Sequence, residues 1–300
     1  MKVLVTGATG FLGQRLCSVL RERGHQICVL SRDPSAARQL LGDLAGAHPW
    51  MPQAPPPKQA LTSVDAVIHL AGETVNGRWT ADKKRAIRDS RVHGTRHLVR
   101  GLEISGAHPK VLVSASAIGY YGDRQDEKLD EDSSPGNDFL AQVCIEWERE
   151  AAAARRLGLR VVPVRLGVVL GRGGGALQEM LTPFRLGLGG PLGSGQQWWS
   201  WVHIDDAVGI LLHALGVEAN GALNATAPTA ERQRDFAKTL GRVLGRPTVI
   251  PTPGFALRLA LGGFAAELLS SKRVLPRRTE RLGYEFRYPQ LEPALRGLLG

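Results

Sequence analysis

The opening stretch MKVLVTGATGFLG constrains this chain more than any other part of it. Lys2 to Val5 form a short apolar run with β-branched residues, the pattern of a buried strand. Thr6 to Gly10 turn sharply, and Phe11 to Arg23 carry apolar residues at helical spacing. Gly7, Gly10 and Gly13 stand three apart. The first permits a tight turn, the second lets a pyrophosphate approach the backbone, and the third lets the helix lie close on the strand. Phosphates at that helix N-terminus meet free N–H groups and the positive end of the dipole. Glycine triplets also make ordinary turns. Here a strand precedes and a helix follows, which is the context a nucleotide site requires.

A second strand, Gln26 to Leu30, ends at Ser31-Arg32-Asp33-Pro34, where a dinucleotide fold meets the adenosine ribose. An acid at this strand end would bind a 2′-hydroxyl, whereas an arginine accommodates a 2′-phosphate. Ser31 takes the acid's place and Arg32 follows it, while Asp33 suits a turn or helix cap before Pro34. NADP(H) is therefore favoured over NAD(H). Further strands are expected at Val64–Leu70, Lys110–Ala115 and Arg160–Leu166, alternating with helices at Trp79–Ser105 and Phe139–Leu157. Most charges of the first of these helices, from Lys83 to Arg96, read as its wet face. The proline-rich segment Leu44 to Ala60 reads as an exposed connection with a short strand near Trp50.

This β–α alternation predicts a Rossmann-type, doubly wound parallel sheet. After Leu170 the texture changes to glycine-rich loops around Met180 to Leu186, then a strand at Trp198 to His203 entering a helix capped by an acid. The expected division is an NADP-binding domain over residues 1–170 and a smaller α+β, substrate-side lobe over 171–300, with the last sheet elements free to return from the second half.

Composition narrows the partners. The formal charge of +10 raises nucleic acid, but basic residues are spread along the chain apart from a cluster at Lys272, Arg273, Arg277 and Arg278. A solvated arginine-rich surface is the simpler reading, with no nucleic-acid partner. No uncharged apolar run reaches the roughly eighteen residues that span a bilayer, and strand-forming residues from Lys2 leave no room for a signal peptide. Cys17, Cys28 and Cys144 are scattered, lack metal-ligand spacing and suit a reducing, cytoplasmic setting. No metal site is expected. A small-molecule substrate is the expected partner, with a homodimer left open.

Three motifs, TGATGFLG, HLAG at His69 to Gly72 and WVHIDDA at Trp201 to Ala207, resemble those of the extended short-chain dehydrogenase/reductase superfamily. RGGGALQEMLTPFRLGLGGPLGSGQQ at Arg172 to Gln197 is similar to the atypical epimerase-family group, sugar-nucleotide-epimerase-like or cell-division-inhibitor-like. That group also carries a C-terminal extension of unresolved function, matched here from about Arg246 to Gly300. The resemblance implies a cofactor across the carboxyl edge of the sheet. Gly7, Thr9, Gly10, Phe11, Leu12 and Gly13 would face the pyrophosphate, Ser31 and Arg32 the ribose phosphate, and Leu70, Ala71 and Gly72 the adenosine side. Leu166, Gly167 and Val168 would approach the nicotinamide, and Arg91 stands where relatives often have an asparagine near the active site.

The superfamily's usual hydroxyl position is matched by Ser116, but its YxxxK pair is not: the corresponding residues are Phe139 and Val143. Phenylalanine transfers no proton and valine supplies no charge. Proton transfer at the catalytic position would then need Tyr120, Tyr121 or water. Trp199 replaces an arginine that pairs with diphosphate in relatives acting on sugar nucleotides. Trp199 and Trp201 would stack on a flat substrate or pack between lobes. The leading expectation is an NADP(H)-dependent oxidoreductase acting on a small organic substrate. The alternatives are a sugar-nucleotide epimerase and a non-catalytic NADP(H)-binding regulatory protein.

Overall fold

The computed structural model describes residues 1–219 and 221–300. In chain order the first half holds β1 (Lys2–Thr6), α1 (Phe11–Glu22), β2 (Gln26–Ser31), α2 (Pro34–Leu41), β3 (Gly46–Pro49), α3 (Lys58–Leu61) and β4 (Ala66–His69). There follow α4 (Ala81–Ser105), β5 (Val111–Ala117), β6 (Lys128–Leu129), α5 (Phe139–Ala152) and β7 (Arg160–Leu166). Seven strands pair in the order β11 (Leu223–Ala225), β7, β5, β4, β1, β2, β3, and all their pairings are parallel. The Rossmann-type sheet is thus completed by a strand from the second half.

The chain leaves β1 toward β2 on one side, while β4 flanks it on the other. Their carboxyl ends therefore open the crevice in which doubly wound sheets hold ligands. One apolar cluster, including Val3, Val5, Leu16 and Leu211, fills the α1 face of the sheet. A second, including Leu4, Leu61, Leu98 and Leu112, fills the other. The segment from Leu44 to Ala60 is less exposed than its prolines suggest: Trp50, Pro56 and Ala60 are buried, and Trp50 Nε1 donates to the Ala54 carbonyl at 2.8 Å.

The smaller lobe begins with β8 (Val168–Gly171), α6 (Gly175–Arg185), β9 (Trp198–Trp199) and β10 (Trp201–His203), and α7 (Ile204–Gly216) returns to pack Val208 and Leu211 on the α1 face of the sheet. Beyond β11 it adds β12 (Glu231–Arg232), α8 (Gln233–Leu244), α9 (Gly254–Leu261), α10 (Phe264–Leu269), β13 (Arg273–Val274), α11 (Arg277–Arg281) and α12 (Leu291–Leu299). Its core joins Leu170, Trp201, Phe236 and Leu295. The cap of α7 corrects the expected acid: His203 Nδ1 accepts the Asp205 N–H at 3.1 Å. Asp206, fully buried in that first turn, accepts from Tyr284 Oη and from the backbone N–H groups of Arg287 and Tyr288. It fixes the C-terminal extension to the sheet half.

The basic cluster is largely occupied within the fold. Lys272 is buried and pairs with Glu267 at 2.9 Å, Arg278 pairs with Asp132, and Arg273 lies over the Trp198 ring. Among the described residues no helix is long and apolar enough to cross a membrane, and no cluster of His, Cys, Asp and Glu could hold a metal ion.

Candidate active site

A cavity of about 730 Å³ opens at the crevice between β1 and β4. Gly7, Thr9, Gly10, Ser31, Arg32, Leu70, Ala71 and Gly72 line it, together with Trp50, Gln53, His93 and His97. Gly7 adopts a φ of +69°, and a Cβ there would lie 2.8 Å from the backbone of Leu70 and Ala71. Only glycine allows this approach. Gly13 is equally constrained, since its Cβ would meet the Gly7 carbonyl oxygen at 2.2 Å. Gly10 is the N-cap of α1 and supplies no side-chain cap, so the first-turn amides face the crevice without a side-chain acceptor.

A buried hydrogen-bond chain braces this turn. The Ala71 N–H donates to Thr6 Oγ1 at 3.1 Å, and the Thr6 hydroxyl is hydrogen-bonded to His69 Nδ1 at 2.6 Å. His69 Nε2 lies 2.9 Å from Thr95 Oγ1, so the ring donates at one of its two nitrogens and accepts at the other. Burial, with Arg91's charge adding to it, lowers the His69 pKa to about 4, so the imidazole stays neutral. HLAG signalled this histidine as a motif, but its brace role depends on Thr95, far along the chain.

At the end of β2 the Asp33 carboxylate caps α2 by accepting the Ala36 N–H at 2.9 Å. Ser31 Oγ bonds the Asp33 backbone on both its N–H and its carbonyl. Arg32 remains exposed on the cavity wall and forms no ion pair among the described residues.

The other expected site residues lie off this cavity. The Phe11 ring packs into the Gly171–Gly175 turn, and Leu12 packs on the apolar face of the sheet. Gly167 and Val168 donate to the carbonyls of Ala225 and Ser200, at the junction following Leu166. Arg91 sits behind Gly72, donating to the Glu73 and Ile87 carbonyls, with its guanidinium 5.2 Å from the Trp147 ring centroid.

The expected catalytic hydroxyls are committed elsewhere. Ser116 is buried and donates to Glu148 Oε1 at 2.6 Å. Glu148 also receives both forks of Arg165, at 2.9 Å each. Burial alone would lower the Arg165 pKa, but its bonds and charge contact with Glu148 raise it above the ordinary range. Tyr121 is fully buried, donates to Asn224 Oδ1 at 2.8 Å and accepts from Arg165. Burial pushes its phenol up to about 12. Ser116 and Tyr121, the expected catalytic hydroxyls, are thus both engaged in internal hydrogen bonds. Half-buried Tyr120 carries the Arg165 guanidinium 3.4 Å from its ring centroid. Glu148, Arg165 and Asn224 were missed because no local motif marks a network closed across three strands.

The tryptophans need the same correction. Trp201 is wholly buried and Trp199 nearly so, 5.5 Å from the Phe236 ring centroid, and both belong to the smaller lobe's core. Neither presents a face to a substrate. Glu73 pairs with Lys83 at 2.6 Å, and burial pushes the Cys144 thiol up to about 12. The wet face expected on α4 is in part an inter-helix seam, since Arg88 and Arg96 reach Glu146 and Glu150 of α5 at 2.6 and 2.7 Å.

A model of the NAD dependent epimerase/dehydratase family matches residues 3–225, and a domain of unknown function (DUF1731) matches residues 252–298. The epimerase family protein SDR39U1 homolog, chloroplastic, of Arabidopsis thaliana is 42% identical over 309 residues, covering 100% of this chain and 87% of its own length. The crystal structure of human epimerase family protein SDR39U1 (isoform2) with NADPH matches with a TM-score of 0.87 at 38% identity, over 99% of each chain. UDP-glucuronic acid 4-epimerase from Bacillus cereus, in complex with UDP-glucuronic acid and NAD, is similar in fold. Its TM-score is 0.80 at 18% identity, over 99% of this chain and 98% of its own.

Proposed function

Because the chain belongs to the NAD dependent epimerase/dehydratase family, we propose that it is an NADP(H)-dependent oxidoreductase acting on a small organic carbonyl or alcohol. One observation carries the cofactor choice: Asp33 is spent on capping α2, so Arg32 stands alone on the cavity wall at the end of β2. The Gly7–Gly10 turn and the first-turn amides of α1 would hold the pyrophosphate, and Arg32 the 2′-phosphate. The NADPH of the human relative supports the same preference. When bound, the nicotinamide supplies a hydride donor or acceptor. The protein holds and orients the reactants. Sugar-nucleotide epimerisation is disfavoured, because Trp199 brings no cation and is buried.

The test is titration calorimetry with NADPH and NADH, followed by NADPH consumption against a carbonyl panel. NADPH should bind at least about tenfold more tightly, as a charge-assisted phosphate contact implies. Tighter NADH binding would reverse the assignment. The internal bonding of Ser116 and Tyr121 favours a second reading, an NADP(H)-binding protein without turnover. Steady NADPH oxidation would remove it.

A further inference from the structure

The position of the missing tyrosine is covered by a cation from another helix. Phe139 opens α5, and its ring centroid lies 5.4 Å from that of Trp79, which in turn lies 5.6 Å from that of Phe264 on α10. Lys84 Nζ stands 5.1 Å from the Phe139 centroid and 6.0 Å from the Trp79 centroid. Its stem runs beside the extension, where a Cβ on Gly263 would lie 3.4 Å from Lys84 Cε. Trp79 is held there too, its backbone N–H donating to the Leu261 carbonyl and its indole N–H to the Val75 carbonyl. All four side chains are half-buried, so each keeps part of its surface open to solvent.

Lys84 is unusual for its place. It lies in the first turn of α4, where the helix dipole disfavours a positive charge. Its neighbours are compensated: Lys83 pairs with Glu73 and Arg85 with Asp82. Lys84 forms no ion pair among the described residues and faces aromatic rings instead. Such rings attract a cation but leave its N–H groups able to donate. In a doubly wound sheet α4 and α5 both begin beyond the carboxyl ends of the strands, the side on which ligands bind. The helix starts therefore bring a free ammonium and apolar walls together at that edge.

We propose that Lys84, walled by Trp79, Phe139 and Phe264, anchors the oxygen of a small aromatic or apolar carbonyl or carboxylate compound. This rests on the oxidoreductase reading above and names its substrate class. Lys84 donates to the substrate oxygen, and the rings take the flat body. The C-terminal extension completes the pocket through Phe264 and the Gly262–Gly263 turn.

The test measures binding apart from turnover. Benzoate is titrated by calorimetry into protein saturated with NADP⁺, using the unmodified chain and the Lys84→Gln, Lys84→Arg and Arg85→Gln variants. Lys84→Gln should weaken benzoate roughly tenfold to a hundredfold, the range for a hydrogen bond to a charged group. Lys84→Arg should recover part of the loss, and Arg85→Gln should match the unmodified protein. NADPH affinity should be the same in all four, which also reports folding. Equal benzoate binding by Lys84→Gln, or no binding by the unmodified protein at millimolar concentration, overturns the proposal. Lys84-dependent benzoate binding without NADPH-dependent reduction of any aromatic aldehyde upholds the anchor and sinks the oxidoreductase reading.

Discussion

At the β1–β2 end of the sheet, Arg32 lines a cavity beside the start of α1, and neither it nor the first-turn amides have a side-chain partner among the described residues. At the β5–β7 end, Ser116, Glu148, Arg165, Tyr121 and Asn224 bond one another in the interior. Both lie at the carboxyl edge, where this fold binds ligands. Polar groups kept free beside an opening are available for recognition. Polar groups that saturate one another specify packing instead. The difference teaches that a hydroxyl in a family's catalytic position is not thereby a catalytic hydroxyl.

The sharpest way to break this contrast is to open the saturated end. Glu148→Ala leaves the Arg165 guanidinium buried and unpaired, and should cost about 3–5 kcal/mol of stability. Urea unfolding would read the loss, while NADPH affinity under native conditions should hold. A loss of affinity without a loss of stability would make Glu148 part of the ligand site.

The brace beneath the open end comes next. His69 titrates near 4 in the fold against about 6.5 unfolded, so between those values the unfolded chain binds the extra proton. Stability is therefore full above pH 6.5 and declines as pH falls toward 4, by roughly 2–4 kcal/mol from this group. Urea midpoints from pH 7 to 4.5 should show a steeper acid limb in the unmodified protein than in His69→Gln. Parallel limbs would place the acid sensitivity elsewhere.

Arg32→Ala tests the open end directly. It should weaken NADPH by about 1.5–3 kcal/mol, roughly ten- to a hundredfold, and leave NADH nearly unchanged. Equal losses for both cofactors would make Arg32 structural. The smallest effect belongs to Ser116→Ala. Deleting one bond to Glu148, which keeps both contacts to Arg165, should cost about 0.5–1.5 kcal/mol. Any NADPH consumption should persist in this variant. Its abolition at unchanged stability would restore Ser116 as the catalytic hydroxyl.

The open end was legible in the sequence because its determinants are local. The contact of Gly13 with the Gly7 carbonyl and the cap of α2 by Asp33 each span only a few residues. The parallel sheet followed from the same β–α rhythm. The saturated end was not legible, because Tyr121 meets a partner 103 residues away and Ser116 one 32 residues away. For Trp199 and Trp201 the sequence left stacking on a substrate and packing between lobes open, and α8 and α12, which supply their core neighbours, lie far along the chain. Lys84 read as one of many wet charges on α4, since nothing in its own helix reveals that Phe139 lies opposite.

Asp206 carries a consequence for synthesis. Its carboxylate is shut away from water, and the bonds that satisfy it come from Tyr284, Arg287 and Tyr288, near the very end of the chain. A nascent polypeptide holds every strand of the main sheet well before those residues leave the ribosome. Until they do, α7 cannot bury Asp206 without stranding its charge. Docking of the extension is thereby what completes the burial of Asp206, and a cut just before Tyr284 would leave an otherwise complete sheet with this fastening undone.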